Sequence, residues 1–323
     1  MILKLKTAVS LLLLAALAAG GSAMFSASVA AGAANPAAAA ANADKPDLTA
    51  WHQQLETWKK ERTAGLMRED GWLTLVGLYW LKPGENRFGS DPGNPVILPK
   101  GKSPAVAGTL VRAGDAVTLK VQPGVTITAN GKPVTADLAL DTDAKGKPTV
   151  LALGSLSFYA IQRGDRVGVR IKDKESPVRA AFHGVDTFAP DPKWRVVARF
   201  EPYQDKKIAI TNVLGQVSQE ASPGAVVFDW QGKTYRLDAL GDPKDGLSLI
   251  FGDATNGRLT YGAGRFLDTD AVKDGKVVVD FNTAYNPPCA FTAFATCPLP
   301  PAQNKLALAV EAGEKKFAGG AER

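Results

Sequence analysis

The pattern that decides the fold is found in residues 225–239, AVVFDWQGKTYRLDA. Two extended runs, 225–230 and 234–239, flank the dipeptide Gln231-Gly232. Aromatic and β-branched residues favour strands, and a short turn that contains glycine joins neighbouring antiparallel strands. This stretch therefore predicts a β-hairpin.

Short extended runs separated by turns recur along most of the chain. Asn130-Gly131 and Asn256-Gly257 also lie between such runs and predict tight turns. After Met67 no stretch has the amphipathic pattern of a full-length helix, so we do not expect a doubly wound parallel sheet. The predicted strands are Thr109–Arg112, Ala116–Val121, Val125–Ala129, Val150–Leu153, Phe158–Gln162, Val167–Ile171, Arg195–Phe200, Lys207–Thr211, Ala225–Trp230, Thr234–Ala239, Leu247–Asp253, Arg258–Ala263, Lys276–Phe281 and Leu306–Glu311.

One helix is predicted before the strands, from Asp47 to Met67. Apolar residues recur there at steps of three and four, which makes one apolar stripe. Asp47 or Thr49 can cap its first turn. The predicted fold is therefore mainly β, a sandwich or barrel-like antiparallel body with one N-terminal helix.

The first 30 residues have the features of a secretory signal peptide. Lys4 and Lys6 precede a short apolar run, and small residues follow up to Ala30. The alternative is a membrane anchor, but the run is shorter than the roughly 20 residues that a bilayer requires. We expect export, most simply to the periplasm, with no stable membrane anchor after cleavage.

The rest of the chain divides into a linker and a folded part. Residues 31–46 are Ala-rich without an apolar period, and they predict a flexible linker. Residues 47–323 are expected to form a single β-rich domain. Two fused β subdomains that divide near residues 172–193 are the alternative.

Composition limits the classes of ligand. The formal net charge is +6, and the basic residues are scattered, so no nucleic-acid-binding stripe is expected. The chain has two cysteines and two histidines, too few for the usual Cys/His zinc site. We expect no metal and no cofactor.

The segment 282–304 is the strongest local anomaly. Five prolines lie between Asn286 and Pro301. Prolines reduce backbone freedom, so this proline-rich strap can hold side chains in a fixed geometry. We predict that a small ligand binds to Arg265, Asn282, Tyr285 and Asn286. The alternatives are a rigid structural loop for the strap and an ion pair with Asp253 for Arg265.

Six motifs are shared with a known family. They are Gly71-Trp72-Leu73, Gly77-Leu78-Tyr79-Trp80-Leu81, Trp194-Arg195-Val196, Thr260-Tyr261-Gly262-Ala263-Gly264-Arg265-Phe266-Leu267, the run from Asp280 to Cys289, and Ala295-Thr296-Cys297-Pro298-Leu299-Pro300. Through them the chain resembles the bacterial family known as domain of unknown function 1684, from about Trp51 to Gly313. That family has no agreed activity, so the resemblance implies no reaction and no ligand.

The two cysteines allow three interpretations. In an oxidising compartment, Cys289 and Cys297 most simply form a disulfide. Alternatively, Cys289 is a reactive thiol, or both remain buried and reduced.

The expected function is that of a small-ligand-binding or structural periplasmic protein. The alternative is a hydrolase or transferase in which Cys289 attacks and His183 or Asp253 acts as the base. Asn282 or Asn286 would then orient the oxyanion. The family pattern includes residues that match Arg179, Phe182 and Gly184 but not His183, which counts against a histidine-dependent mechanism.

Overall fold

The computed structural model of the chain describes residues 47–319. The signal peptide expected over residues 1–30 and the linker expected over residues 31–46 lie outside them. Within residues 47–319, no helix has both the length and the apolar character needed to cross a bilayer.

Strands dominate the regular structure of residues 47–319. Helix α1 spans Leu48–Met67 and the single-turn helix α2 spans Pro177–Ala180. The strands are β1 (Leu75–Trp80), β2 (Gly84–Gly89), β3 (Val96–Ile97), β4 (Gly108–Ala113), β5 (Ala116–Val121), β6 (Thr128–Ala129), β7 (Lys132–Pro133), β8 (Leu138–Leu140), β9 (Leu151–Leu153), β10 (Leu156–Arg163), β11 (Arg166–Asp173), β12 (Arg195–Pro202), β13 (Lys207–Thr211), β14 (Val217–Ala221), β15 (Gly224–Trp230), β16 (Lys233–Asp238), β17 (Leu240–Asp242), β18 (Gly246–Phe251), β19 (Arg265–Asp268) and β20 (Lys276–Asp280). The prediction of a mainly β fold with one N-terminal helix is confirmed.

Helix α1 is capped by Asp47, one of the two predicted candidates. Its carboxylate accepts hydrogen bonds from the backbone N–H groups of Thr49 and Ala50, at 2.9 and 3.3 Å. These bonds satisfy N–H groups that have no partner within the helix. On the buried face, the indole N–H of Trp51 donates to Asp280 at 2.6 Å, which ties the helix to strand β20.

Two sheets form the N-terminal half of the β body. One has the strand order β1-β11-β10-β9-β6-β7 and the other β3-β2-β4-β5-β8, and their pairs are antiparallel except for β2 with β3. Both sheets end in open edges, and side chains from both enter one hydrophobic core, so their packing is sandwich-like. The fully buried residues of this core include Phe88, Leu110, Leu119, Leu151, Phe158, Ala160, Val167 and Ile171.

The C-terminal half contains three antiparallel sheets. Their strand orders are β16-β15-β12-β20, β17-β18-β19 and β13-β14. Strands β15 and β16 form the hairpin predicted from residues 225–239, with Trp230 opposite Lys233. At its turn, Gln231 and Gly232 have φ angles of +49° and +76°, the positive values that such tight turns require.

A second hydrophobic core fills the C-terminal half. Its buried members lie between Trp194 and Ala312, whereas those of the first core lie between Leu81 and Ile171. The segment proposed as a boundary, residues 172–193, falls between these two sets in the sequence. Whether the halves are one domain or two subdomains stays a prediction.

Two predicted strands are wrong. Residues 258–263 form turns, in which the side-chain amide of Asn256 donates to the hydroxyl of Thr260 at 2.9 Å and to the backbone carbonyl of Tyr261 at 3.0 Å. Residues 306–311 belong to no strand of the described chain. The predicted set does not contain β1, β2, β3, β7, β8, β14, β17 and β19. The sequence VSQEA of β14, for example, is exposed throughout and lacks apolar alternation.

Candidate functional site

Arg265, a predicted ligand-binding residue, is fully buried at the start of strand β19. Its guanidinium lies 2.9 Å from the carboxylate of Asp253, and both side chains are 0% exposed. Asp253 also accepts hydrogen bonds from the backbone N–H and the hydroxyl of Thr255, at 2.8 and 2.5 Å. A buried charge requires such a partner, because removing it from water is costly.

The two terminal nitrogens of Arg265 also hold the C-terminal segment. One terminal nitrogen donates to the carbonyl of Val310 at 2.9 Å, and the other donates to the carbonyls of Ala312 and Glu314. Burial lowers the pKa of Arg265, and the nearby carboxylate of Asp253 opposes that shift. Arg265 therefore fixes residues 310–314 in place.

Asn286, another predicted ligand-binding residue, connects the strap to the C-terminal segment. Its backbone N–H donates to the buried carboxylate of Glu314 at 2.7 Å, and its side-chain amide donates to the carbonyl of Lys315 at 2.8 Å. Arg62 of helix α1 donates to the same carboxylate at 2.9 Å and to the carbonyl of Asn286 at 2.8 Å. Helix, strap and C-terminal segment thus meet at Glu314.

Tyr285 belongs to the same polar cluster. Its hydroxyl donates to Asp268 at 3.0 Å, and the Arg62 guanidinium lies 4.7 Å from the centre of its ring. Burial raises the pKa of the Tyr285 hydroxyl, and the neighbouring carboxylate of Asp268 raises it further. The tyrosine is therefore a neutral donor across the physiological range.

Asn282 lies away from this cluster and holds a different segment. Its side chain accepts from the backbone N–H of Asp191 and donates to the carbonyl of Asp191, both at 3.0 Å. The same amide donates to Asp280 at 2.8 Å. This pair of bonds positions the chain immediately before Lys193 and Trp194.

The two cysteines are buried and adjacent. The backbone N–H of Cys289 donates to the sulfur of Cys297 at 3.1 Å, and the N–H of Cys297 donates to the sulfur of Cys289 at 3.3 Å. Both are thiols in the structure. A hydrogen bond with Cys289, together with burial, raises the pKa of Cys297 well above its ordinary range. The disulfide stays a prediction.

The candidate catalytic residues have different surroundings. His183 is exposed, whereas Cys289 is completely buried. Asp253 is occupied by the Arg265 guanidinium. The geometry therefore provides no observation that favours the hydrolase alternative, which stays a prediction.

An open cavity of about 380 Å³ lies on the C-terminal half. We call it the tryptophan groove. Its walls include the rings of Trp194 and Trp230, which stack in parallel with their centres 4.3 Å apart and 10° between their planes. The lining residues are Lys193, Trp194, Trp230, Gln231, Lys233, Tyr235, Ala307, Leu308 and Ala309.

Three segments build the groove. One wall is the β15–β16 hairpin, which presents Trp230 and Tyr235. The second is the turn that begins at Asp191, whose carboxylate accepts from the N–H of Lys193 at 3.0 Å. The third is residues 307–309, which contact the hairpin through a hydrogen bond of 3.4 Å from the Tyr235 hydroxyl to the carbonyl of Ala307.

Two of the four residues predicted to bind a ligand support the groove from outside its lining. Asn282 holds the backbone of Asp191, two residues before Lys193. Arg265 holds Val310, one residue after Ala309. No strap residue belongs to the described lining of the groove. Asn282 and Arg265 are therefore placed to position its walls.

Several important residues were missed by the sequence analysis. Glu314 joins three segments, and Asn304 donates to the carbonyls of Asp238 and Ile250, both at 2.9 Å. Neither has a sequence signal, because these partners are distant along the chain. Trp230 did have a signal in the sequence, because a tryptophan beside a hairpin turn is expected near the surface.

Groups that could hold a metal ion are absent from the part of the chain that the structure describes. No cluster of three or more His, Cys, Asp or Glu side chains occurs between residues 47 and 319. The groove contributes amide, hydroxyl, ammonium and aromatic groups instead.

The change Arg265→Met should lower the free energy of unfolding by about 3 to 5 kcal/mol, because it leaves the Asp253 carboxylate buried without its partner. Urea denaturation measures this loss. The matched control is Arg68→Met, which removes an exposed ion pair with Asp70 and should cost less than about 1 kcal/mol. Equal effects of the two changes would contradict a structural role for the buried pair.

Comparison with known proteins gives a family but no activity. The family described as protein of unknown function (DUF1684) matches residues 180–315, a shorter span than the one expected from Trp51 to Gly313. No curated protein matches the chain. The solution NMR structure of an uncharacterized protein from Haloarcula marismortui is similar, with 31% identity, over 42% of this chain and 78% of that one, at a TM-score of 0.36. Residues 180–315 of the chain therefore belong to the DUF1684 family.

Proposed function

We propose that the protein is an exported small-ligand-binding protein and that its ligand occupies the tryptophan groove. The observation that carries this proposal is the open cavity of about 380 Å³ beside the stacked Trp194 and Trp230 rings. Ligand sites are concave, lined by aromatic groups and furnished with a few polar groups. The groove is concave and contains aromatic rings, and polar groups form a large part of its lining.

The groove is supported so that its walls keep their shape without a ligand. Trp194 packs edge-on against Phe281, with ring centres 6.2 Å apart. Trp230, the last residue of strand β15, stacks on Trp194. Asn282 and Arg265 fix the other two walls through a part-buried and a buried hydrogen bond, respectively. A site that is already ordered loses less entropy when it binds.

The burial of two other candidate residues supports the groove as the site. Asn286 and Arg265 are both 0% exposed, and they already bond to the C-terminal segment. A ligand that displaced such a buried bond would leave a polar group unsatisfied, at a cost of about 1 to 3 kcal/mol for each group. The groove offers polar groups without that cost.

Export is the second part of the proposal. It rests on the positively charged start, the short apolar run and the small residues before Ala30. The ligand of the exported protein would then be a compound that is present in the periplasm.

The change Trp230→Ala should weaken binding of small ring compounds about tenfold, since it removes one aromatic wall. Saturation-transfer NMR with indole and 1-naphthyl phosphate as probes measures this loss. The matched control is Trp80→Ala, whose ring lies under Arg166 in the N-terminal half. Binding that survives Trp230→Ala but not Trp80→Ala would place the site elsewhere.

We also propose that Cys289 and Cys297 are joined by a disulfide in the exported protein. The reciprocal hydrogen bonds from each backbone N–H to the other sulfur show that the two residues already lie side by side. Oxidation removes two protons and two electrons, which an oxidised dithiol of the compartment accepts by exchange. The short loop so closed would add about 2 to 3 kcal/mol to stability.

Protein isolated from the exporting compartment and unfolded without reductant should show no reactive thiol. After reduction it should show both cysteines, counted by a chromogenic disulfide reagent. The variant Cys289→Ser, with one thiol under either condition, calibrates the assay. Two reactive thiols before reduction would refute the disulfide.

A further inference from the structure

The charge of the tryptophan groove indicates which ligands it accepts. Its lining contains two lysines, Lys193 and Lys233, and no acidic residue. A concave surface whose fixed charges have one sign attracts ligands of the opposite sign. The groove is therefore complementary to an anion.

The hairpin places Lys233 beside the aromatic wall. Lys233 lies directly opposite Trp230 in the antiparallel ladder, so their side chains project from the same face. Tyr235 follows Lys233 by two residues and projects from that face as well. An ammonium group and two aromatic rings thus stand side by side at one end of the hairpin.

The two lysines differ in how their charge is compensated. Lys193 pairs with Asp191 at 2.7 Å, and both side chains are partly exposed. Among residues 47–319, no carboxylate lies within ion-pair distance of Lys233. Lys233 is thus the cation that is available to a ligand, and Lys193, beside Trp194, adds a weaker, partly neutralised charge.

We propose that the groove binds a small organic anion that contains a ring. The ring packs against Trp230 and Tyr235, and the carboxylate or phosphate of the ligand lies at Lys233. This inference rests on the proposed function and adds the chemical class of the ligand. The volume of about 380 Å³ is near the lower end for ligand sites and fits one or two rings.

Four probes separate the contributions of ring and charge in calorimetric titrations of the purified protein. They are 1-naphthyl phosphate, 1-naphthol, glucose 6-phosphate and inorganic phosphate. The naphthyl phosphate should bind about tenfold more tightly than naphthol, because charge-assisted contacts are strong where water is partly excluded. Added salt should weaken the binding of the phosphate ester and leave the neutral alcohol unchanged.

The variant Lys233→Met should reduce the affinity for 1-naphthyl phosphate by about tenfold and leave 1-naphthol unchanged. The matched control, Lys244→Met, replaces an exposed lysine outside the groove and should change neither affinity. Because Lys233 is exposed, its replacement should leave the fold intact, which a thermal melt of the variant checks.

The outcomes distinguish this inference from the proposed function. Equal binding of naphthol and naphthyl phosphate, lost in Trp230→Ala but kept in Lys233→Met, would overturn the anion inference and leave the groove as the site. Binding of inorganic phosphate as tight as that of the ester would also overturn it, since the ring would contribute nothing. Preference for glucose 6-phosphate with the same dependence on Lys233 would support it, with a sugar as the ring. No binding of any probe would overturn both proposals.

Discussion

The buried ion pair between Arg265 and Asp253 is the constraint on which the C-terminal half depends. Two charges that are removed from solvent must face each other. The two terminal nitrogens of the guanidinium also donate to carbonyls of residues 310–314, so this segment follows the position of Arg265. Glu314 then lies where Arg62 and Asn286 can reach it. One desolvated arginine thereby organises helix α1, the strap and the end of the described chain.

The residues that support the structure therefore differ from those that we propose to bind the ligand. Two asparagines of the proline-rich strap, Asn282 and Asn286, bond to backbone groups of neighbouring segments. Recognition is proposed for the tryptophan groove, whose wall segments follow Asp191 and precede Val310. A binding surface can stay ordered when the buried residues that support it are rigid. The arrangement explains how a largely polar, open groove keeps two tryptophan rings parallel at 4.3 Å.

Local patterns in the sequence were enough to predict the fold class, helix α1 and most strands. The conformation of a turn dipeptide such as Gln231-Gly232 depends mainly on its own two residues. Asp47 caps helix α1 by bonding to a residue only two positions further along the chain. The candidate site was harder to predict, because its walls join residues 193–194, 230–235 and 307–309, which only the tertiary fold brings together. The sequence predicts a stiff strap with a ligand site, and the site stays a prediction; in the structure Asn282 and Asn286 bond to backbone groups of other segments. Polarity alone does not distinguish a side chain that binds a ligand from one that binds the backbone.

The most direct test of the central claim is the set of indole N–H signals in a ¹H–¹⁵N NMR spectrum, assigned by single Trp→Phe variants. The chain has six tryptophans, of which Trp194 and Trp230 line the groove. On addition of 1-naphthyl phosphate, the account predicts that the signals of these two residues shift, while the side-chain amide signal of Asn286 stays unchanged. Shifts at Asn286 with both groove tryptophans unaffected would contradict it and return the ligand to the strap.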